Sequence, residues 1–290
     1  MREKISVCIT AGNEEKNIRR CLESVKWADE IVVIDSFSTD RTAEICREYT
    51  ELVYEHRWLG YIGQKNLAKD MASHRWIFFI DADEAVSDDL RDEILEHFNS
   101  GQSATLSGFE FPRLVYFLGR WIRHGDWYPD YKLRLFDRTK GRCGGKEPHD
   151  RMLVEGTIKR LKAPLYHFTY DDLSDQVATL NRFSTITSLT QQEEGRIFRL
   201  RDLLFRPAWR FFRGYILKRG FMDGLPGYIV AKSQAYSVFI KYAKLWELQT
   251  QAGKEAPLKN PPDDTAANTD AAAGRQAPPA RKAPVPPAAE

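Results

Sequence analysis

Strand and helix patterns alternate through the first hundred residues, and this alternation constrains the fold more than any other feature of the chain. Four short apolar runs predict buried strands: Ile5–Thr10, Glu30–Ile34, Leu52–Glu55 and Trp76–Ile80. Three segments between them carry apolar residues at helical spacing: Asn13–Lys26, Arg41–Glu48 (with Asp40 as the expected N-cap) and Ile62–Met71. Strands that alternate with helices predict βαβ units and a largely parallel sheet.

The pattern changes after about Thr105. Two apolar and aromatic runs without helices between them predict antiparallel strands, Gly108–Leu118 and Tyr131–Phe136, and the glycine-rich Gly141–Pro148 predicts a loop. Helical spacing returns in Leu173–Thr190 and Arg196–Leu248, with expected breaks near Pro207 and near Gly224–Gly227. The segment from Gln251 onward holds eight of the fourteen prolines and no aromatic residue, which predicts disorder.

These patterns divide the chain into three parts. We expect one domain over residues 1–170, with two halves (1–100 and 101–170), then a helical extension (171–250) and a disordered tail (251–290). The net charge of +2 gives no general argument for nucleic acid binding. The four cysteines lack CxxC spacing, no run reaches ~18 apolar residues, and the N-terminus leads directly into a strand, so we expect a cytoplasmic protein.

Polar residues follow three of the predicted strands, in Thr10–Glu14, Asp35–Ser38 and Asp81–Asp83. Ligands bind beyond the carboxyl ends of such strands. Asp81 and Asp83 stand one residue apart after a strongly apolar strand, which predicts a shared site for Mg²⁺ or Mn²⁺. Such a cation neutralises the charge that builds on a departing nucleoside diphosphate. The alternative is a surface turn that caps the next helix.

Four motifs occur in the order seen in family 2 glycosyltransferases, and the chain resembles that family: Ser6–Glu15, Ile31–Thr42, Gln64–Asn66 and Phe79–Glu84. The resemblance implies the α/β GT-A fold, a Rossmann-like and mostly parallel sheet flanked by helices, here with a C-terminal helical extension, and an inverting transfer. Later motifs look like the branch that includes lipopolysaccharide inner-core β-glucosyltransferases: Tyr116–Ile122, Gly125–Asp130, Lys132–Phe136 and His149-Asp150.

The same resemblance implies roles for the donor site. The first loop contacts the nucleotide through Thr10, Asn13 and Glu14, and Asp35 contacts the uracil of a UDP-sugar. Lys65 faces the donor diphosphate, Asp83 is the main metal ligand, and Asp81 points toward the ribose or a metal-bound water. Phe37 departs from the wider pattern, where glycine is common, and this indicates a different loop shape around the base.

An inverting transfer needs a general base near the acceptor hydroxyl, and Asp150 is the candidate. The alternative is a loop carboxylate paired with Arg151. His149 is expected to orient the loop or the acceptor, and His167 is either a late metal or phosphate contact or a core histidine. Trp127, with Trp121, Tyr128 and His124, either forms a sugar-stacking wall or packs in the core.

Residues 196–219 contain eight basic residues and one acidic residue, interleaved with aromatic and aliphatic side chains. This mixture predicts a helix at an anionic membrane surface, with arginines on head groups and aromatics in the acyl boundary. RNA binding and ordinary packing on the catalytic domain are the alternatives.

Together with the patterns, the resemblance implies that residues 1–170 are a catalytic domain, with a nucleotide-sugar half (1–100) and an acceptor half (101–170). It implies transfer of glucose from UDP-glucose to a lipid-linked acceptor, such as the lipopolysaccharide inner core. We expect a peripheral protein on the cytoplasmic face of the inner membrane, with no nucleic acid partner. Polyprenyl phosphate or another envelope polysaccharide is an alternative acceptor. A non-catalytic nucleotide-binding scaffold is the alternative of another class.

Overall fold

The computed structural model describes residues 2–146 and 149–251. The His149 side chain and residues 252–290 lie outside this part, so the predicted role of His149 and the predicted disorder of the tail stay predictions.

The first eighty residues form the parallel part of one sheet, as the alternation predicts. Its strands are β1 (Ile5–Ala11), β2 (Glu30–Asp35), β3 (Val53–Glu55) and β4 (Trp76–Asp81), in the order β3-β2-β1-β4. Its helices are α1 (Ile18–Val25), α2 (Thr42–Arg47) and α3 (Gly60–Met71). The register pairs Ala11 with Asp35 and Thr10 with Asp81, so the polar residues that end three strands share one sheet edge.

Both faces of the parallel strands are buried, which explains their continuous apolar runs. Val7 and Ile9 face the cluster that contains α1, while Cys8 between them faces the cluster that contains Ala68 of α3. All four cysteines are free and buried.

The second half adds antiparallel strands. The further elements are β5 (Glu84–Val86), α4 (Asp88–Asn99), β6 (Gly108–Phe117), β7 (Arg120–Ile122), β8 (Asp130–Asp137), β9 (Gly141–Lys146), β10 (His149–Val154), β11 (Ile158–Arg160) and β12 (Leu165–His167). β8 lies antiparallel between β4 and β6, and the sheet continues through β12 to β5. The two predicted antiparallel strands are therefore confirmed, within a mixed sheet.

The prediction of a loop at Gly141–Pro148 is wrong for its first six residues, which form β9 and pair antiparallel with β10. The glycines are needed for packing. A Cβ at Gly144 would lie 2.6 Å from Leu153, and one at Gly141 would lie 2.7 Å from Val154. Side chains of β10 therefore cover the strand where its own side chains are absent.

The C-terminal extension consists of α5 (Leu173–Glu193), α6 (Leu200–Phe212) and α7 (Gly224–Gln251), with a π-helical turn (Arg213–Leu217) and a 3₁₀ turn (Gly220–Asp223) between the last two. The predicted break at Pro207 is wrong, because Pro207 lies inside α6. The chain breaks at Lys218–Arg219, where Arg219 adopts a φ of 56°. Pro226 falls in the first turn of α7, where its missing N–H costs no helical hydrogen bond.

The extension joins the sheet through a small apolar cluster in which Val230 of α7 meets Val115, Phe117 and Ile122. None of the helices within the described ranges is long and apolar enough to cross a bilayer.

Candidate active site at the sheet edge

The loops after β1 and β2 are locked together by hydrogen bonds. Ser38 Oγ accepts from Asn13 N at 2.8 Å, and the Asn13 side chain accepts from Thr39 N at 2.8 Å. Ser38 in turn donates to Asp35 through its amide at 2.8 Å and through its hydroxyl at 2.5 Å. Asp35 is buried, and its carboxylate shapes the loop through Ser38 rather than facing solvent.

This loop holds Phe37 in an unusual position. Phe37 has a φ of 56° and is 58% exposed. A left-handed backbone explains why glycine suits this position, and it disfavours a bulky residue. The side chain therefore projects from the sheet edge beside Asn13, whose φ is also 56°.

Glu14 and Asp40 connect these loops to α2. The Glu14 amide donates to Thr42 Oγ1 at 2.8 Å, and the Asp40 carboxylate accepts from the Thr42 amide at 3.0 Å. Asp40 stands one residue before the N-cap position, which is Arg41, so the predicted N-cap is displaced by one residue. Burial raises the pKa of Glu14, and the carboxylates of Asp83 and Asp40 add to that rise while Asn17 opposes it.

Four charged side chains form a row beyond β4. Asp81 accepts from Arg134 at 2.5 Å and pairs with Lys65 at 3.0 Å, and Lys65 also pairs with Asp150 at 2.9 Å. The Lys65 side chain is only 4% exposed. The structure therefore brings together Lys65, Asp81 and Asp150, which lie on α3, β4 and β10.

The cations in this row determine the charge of Asp81. Burial raises the pKa of Asp81, but Arg134 and Lys65 lower it more, and the net pKa lies well below its ordinary value. Burial and the repulsion from Arg134 lower the pKa of Lys65. The carboxylates of Asp81 and Asp150 raise it by more, so the net pKa is above its ordinary value. Both groups are therefore ionised at neutral pH.

Sequence reasoning missed Arg134. Its motif, Lys132–Phe136, entered only as part of a resemblance, and no role was predicted for the arginine. The available signal was a charged residue in an alternating strand, since Leu133 and Leu135 flank Arg134 in β8. An inward charge in a buried strand needs a partner, and Asp81 is 53 residues away in sequence.

Asp83 and His167 form a separate pair. The His167 Nε2 lies 3.0 Å from Asp83 Oδ2, and Thr169 Oγ1 lies 2.6 Å from the other ring nitrogen. Burial raises the pKa of Asp83, and the charge and hydrogen bond of His167 lower it further than burial raises it, so the net pKa is below its ordinary value. His167 is thus neither an isolated core residue nor distant from the Asp81–Asp83 motif.

The three predicted metal ligands divide between two sets of partners. Asp83 and His167 face each other, whereas Asp81 faces Lys65 and Arg134. Within residues 2–146 and 149–251 no group of three His, Cys, Asp or Glu side chains could hold a metal ion. A carboxylate oxygen and an imidazole nitrogen at hydrogen-bond distance fit two positions around one divalent cation, if substrate phosphates and water fill the others.

Two cavities adjoin these charges. One of about 220 Å³ is lined by Arg113, Asp126, Trp127, His167 and Tyr170, among others. Another of about 560 Å³ is lined by Asp81, Arg113, Arg134, Asp150 and Arg151, among others. Arg113 lines both, so Asp150 and His167 open onto neighbouring cavities.

Trp127 has contacts that bear on both interpretations of the aromatic residues, and its sugar-stacking role stays a prediction. It lines the smaller cavity and also packs against Phe117, with ring centroids 5.3 Å apart. Trp121 packs on Tyr166 at 4.4 Å. His124 pairs with the buried Asp223 through its amide at 2.7 Å and its ring at 3.1 Å, which ties the β7 end to the start of α7.

Comparison with known proteins gives a consistent result. The family model described as Glycosyl transferase family 2 matches residues 6–158. The chain is 32% identical over 250 residues to the lipopolysaccharide core biosynthesis glycosyltransferase LpsC of Rhizobium meliloti (strain 1021), covering 84% of this chain and 92% of LpsC. It is 29% identical to an uncharacterized glycosyltransferase of Rickettsia typhi (strain ATCC VR-144 / Wilmington), covering 86% and 89% of the two chains.

The fold also matches a solved structure. The mannosyltransferase PcManGT from Pyrobaculum calidifontis, solved with GDP-Man and Mn²⁺, superposes with a TM-score of 0.54 at 16% identity, covering 85% of this chain and 88% of that one. The predicted α/β fold of the GT-A type, with a C-terminal helical extension, is confirmed.

Proposed function

The chain belongs to glycosyltransferase family 2, and we propose that it transfers glucose from UDP-glucose, with inversion, to a lipid-linked glycan such as the lipopolysaccharide inner core. One observation carries the proposal: the row Arg134–Asp81–Lys65–Asp150 adjoins the Asp83–His167 pair at the edge where the strands end. The acceptor class is supported by the similarity to LpsC, whose name assigns it to lipopolysaccharide core biosynthesis.

The nucleotide is proposed to bind on the interlocked loops after β1 and β2, near Thr10, Asn13 and Glu14. Each oxygen of the Asp35 carboxylate accepts a hydrogen bond from Ser38, which holds the carboxylate in place. A carboxylate retains further lone pairs, which can accept from a base. Phe37 stands exposed beside this position and offers an aromatic face.

Asp83 and His167 are the residues that would hold Mg²⁺ or Mn²⁺, with Asp81 next to them. The cation would supply neutralisation of the charge that develops on the diphosphate. Asp81 contributes differently, because it holds the ammonium of Lys65 and the guanidinium of Arg134 at the same edge. Fixed cations at this position favour an anionic leaving group.

Asp150 is the proposed general base. Its carboxylate pairs with the Lys65 ammonium at 2.9 Å and lines the cavity of about 560 Å³. The Asp150 carboxylate takes the proton of the acceptor hydroxyl, whose oxygen forms a bond to the anomeric carbon. The bond from that carbon to the diphosphate breaks on the opposite face, and its electron pair leaves with UDP.

The test is UDP release and product formation with several UDP-sugars, with and without Mn²⁺ or Mg²⁺, on lipopolysaccharide precursor extracts. Asp83→Asn is expected to lower turnover by roughly a thousandfold, since metal contacts contribute several kcal/mol to charge stabilisation. Asp150→Asn is expected to abolish transfer and leave UDP-glucose binding intact. Asp88→Asn is the matched control, because the Asp88 side chain is 84% exposed.

Each alternative has its own outcome. Turnover on polyprenyl phosphate but not on core precursors would replace the acceptor class. Binding of UDP-sugars without metal-dependent turnover on any acceptor would support the scaffold interpretation instead.

The acceptor class also implies a location. We propose that the protein works as a peripheral protein on the cytoplasmic face of the inner membrane, where UDP-sugars and lipid-linked precursors meet, and that nucleic acid is not a partner.

A further inference from the structure

Helix α6 turns its large apolar side chains away from the protein. Phe205 is 70% exposed, and Leu204 and Trp209 are each 57% exposed. Leu200 and Phe212 are also exposed. The buried position in this helix is an aspartate, Asp202.

Two arginines of this segment reach toward the rest of the protein. Arg213, in the turn after α6, pairs with Asp126 of the catalytic domain at 2.6 Å. Arg210 donates to Gln234 of α7 at 2.8 Å and lies 3.0 Å from Asp126. Arg206 instead pairs with Asp202 of its own helix at 2.8 Å, and its side chain is 55% exposed. The expectation that the arginines face lipid head groups therefore does not hold for Arg210 and Arg213.

This arrangement is the reverse of an ordinary surface helix. A helix at a protein–water boundary buries its apolar stripe and exposes its charges. Further exposed apolar residues extend the outer face of α6 on both sides: Ile197, Ile216, Leu217, Phe221, Met222 and Leu225. A contiguous apolar surface of this kind indicates a binding site for an apolar partner.

The charges around this surface identify the partner. Arg199, Arg201 and Arg219 are exposed. Between residues 197 and 223 the chain has two carboxylates, Asp202 and Asp223, and they are only 8% and 1% exposed. Within residues 197–223 the exposed charges are therefore all positive.

We propose that the outer face of α6, extended by the turns that lead to α7, inserts into the interface of an anionic lipid bilayer. This inference rests on the proposed function, whose acceptor is lipid-linked, and it assigns the membrane contact to particular residues. A second copy of the chain fits less well, because a twofold contact would bring the same arginines together on both sides. Apolar groups of an interfacial helix enter the head-group and acyl boundary by about 5–10 Å.

The position of α6 connects the bilayer to the active site. Asp126, which Arg210 of α6 and Arg213 of the following turn hold, lines the same cavity as Trp127 and His167. An α-helix with its side chains is about 10 Å across. A bilayer on the outer face would therefore lie about one helix diameter from this cavity, within reach of a glycan that projects from the lipid.

The test is flotation of the full chain with vesicles of phosphatidylcholine and phosphatidylglycerol, compared with pure phosphatidylcholine. Wild type is expected to float, more with the anionic vesicles. Phe205→Ser with Trp209→Ser is expected to lower the partition coefficient at least about tenfold, because two aromatic side chains leave the interface. Trp58→Ser with Tyr61→Ser is the matched control, since these exposed aromatics lie before and within α3.

The outcomes separate this inference from the proposed function. Asp83→Asn should float like wild type, so loss of turnover and loss of membrane binding are independent measurements. Unchanged flotation of the Phe205/Trp209 variant, with wild-type circular dichroism, would overturn the inference. A dimer in vesicle-free solution that this variant converts to a monomer would assign the surface to a second copy instead.

Discussion

The parallel sheet and helix α6 distribute their side chains in opposite ways. In the parallel half, Trp76 and Phe78 of β4 are fully buried, and ion pairs on the flanking helices, such as Arg19–Glu48, lie outside with both side chains nearly half exposed. In α6 and the turn after it, Trp209 is outside and Arg213 turns inward to Asp126. Removal of apolar side chains from water explains both regions, if the sheet is surrounded by water and protein while the outer face of α6 meets lipid.

The largest difference between the two regions is expected when one aromatic side chain in each is truncated to alanine. Phe78→Ala is expected to lower the free energy of unfolding by about 3–5 kcal/mol, because it leaves a cavity beside Phe111, whose ring centroid lies 5.5 Å away. Trp209→Ala is expected to change it by less than about 0.5 kcal/mol in vesicle-free buffer. Urea unfolding measures both. A loss above about 2 kcal/mol for Trp209→Ala would mean that protein, not lipid, covers this side chain.

A smaller effect is expected where α6 meets the catalytic domain. Asp126→Asn leaves Arg210, Arg213 and Lys218 without their shared carboxylate. We expect a loss of about 1–2 kcal/mol, less than for a fully buried pair because the cations are 31–46% exposed. Asp171→Asn, in an exposed pair with Lys16, is the control and should show no measurable change.

The pH dependence of this loss follows from the pKa of Asp126. Burial raises that pKa, but the hydrogen bond of Lys218 and the charge of Arg210 help to lower it further, so the net pKa is depressed. A depressed carboxyl pKa contributes stability above the unfolded value of about 3.9 and loses it as the pH falls through the folded value. The difference between wild type and Asp126→Asn should therefore be complete above about pH 5 and shrink below pH 4. A constant difference from pH 7 to pH 3 would contradict this ion-pair explanation.

The smallest expected effect is on vesicle binding, when one exposed arginine of α6 loses its charge. Arg201→Gln is expected to weaken binding to anionic vesicles about fivefold, since one basic residue near the surface contributes about 1 kcal/mol. Lys159→Gln makes the same charge change beside Phe109, at the end of β6 opposite to the contact with α7, and should have little effect. Equal losses in both variants would indicate a general charge effect rather than a docking face.

Much of the donor half could be predicted because its signals are local. Strands β1, β2 and β4 are buried on both faces, so their sequences are continuous apolar runs that can be recognised. Because the three strands are parallel, the residues that follow them meet at one edge of the sheet. Asp35, Asp81 and Asp83 were placed at that edge for this reason. The failures at Gly141 and Pro207 have a different origin. Glycine and proline signal breaks, yet side chains from β10 cover Gly141 and the chain continues as a helix through Pro207.

The contacts of the site could not be predicted in this way. Lys65 reaches Asp150 across 85 residues, and Arg134 reaches Asp81 across 53. Thr169 and Ser38 are short polar residues that matter because they hydrogen-bond to His167 and Asp35, respectively. A sequence pattern shows that a charge exists, and the fold decides which charge stands opposite to it.

The sequence by itself therefore determined the alternating architecture, the family motifs and the mixture of arginines and aromatics in the extension. The tertiary structure decided which way that mixture points. Helical spacing gives α6 an apolar face and an arginine face, and both orientations satisfy the same periodicity. Asp126 on the catalytic domain and Gln234 on α7 supply polar partners across the interface, so the arginine face turns inward and the apolar face is left outside.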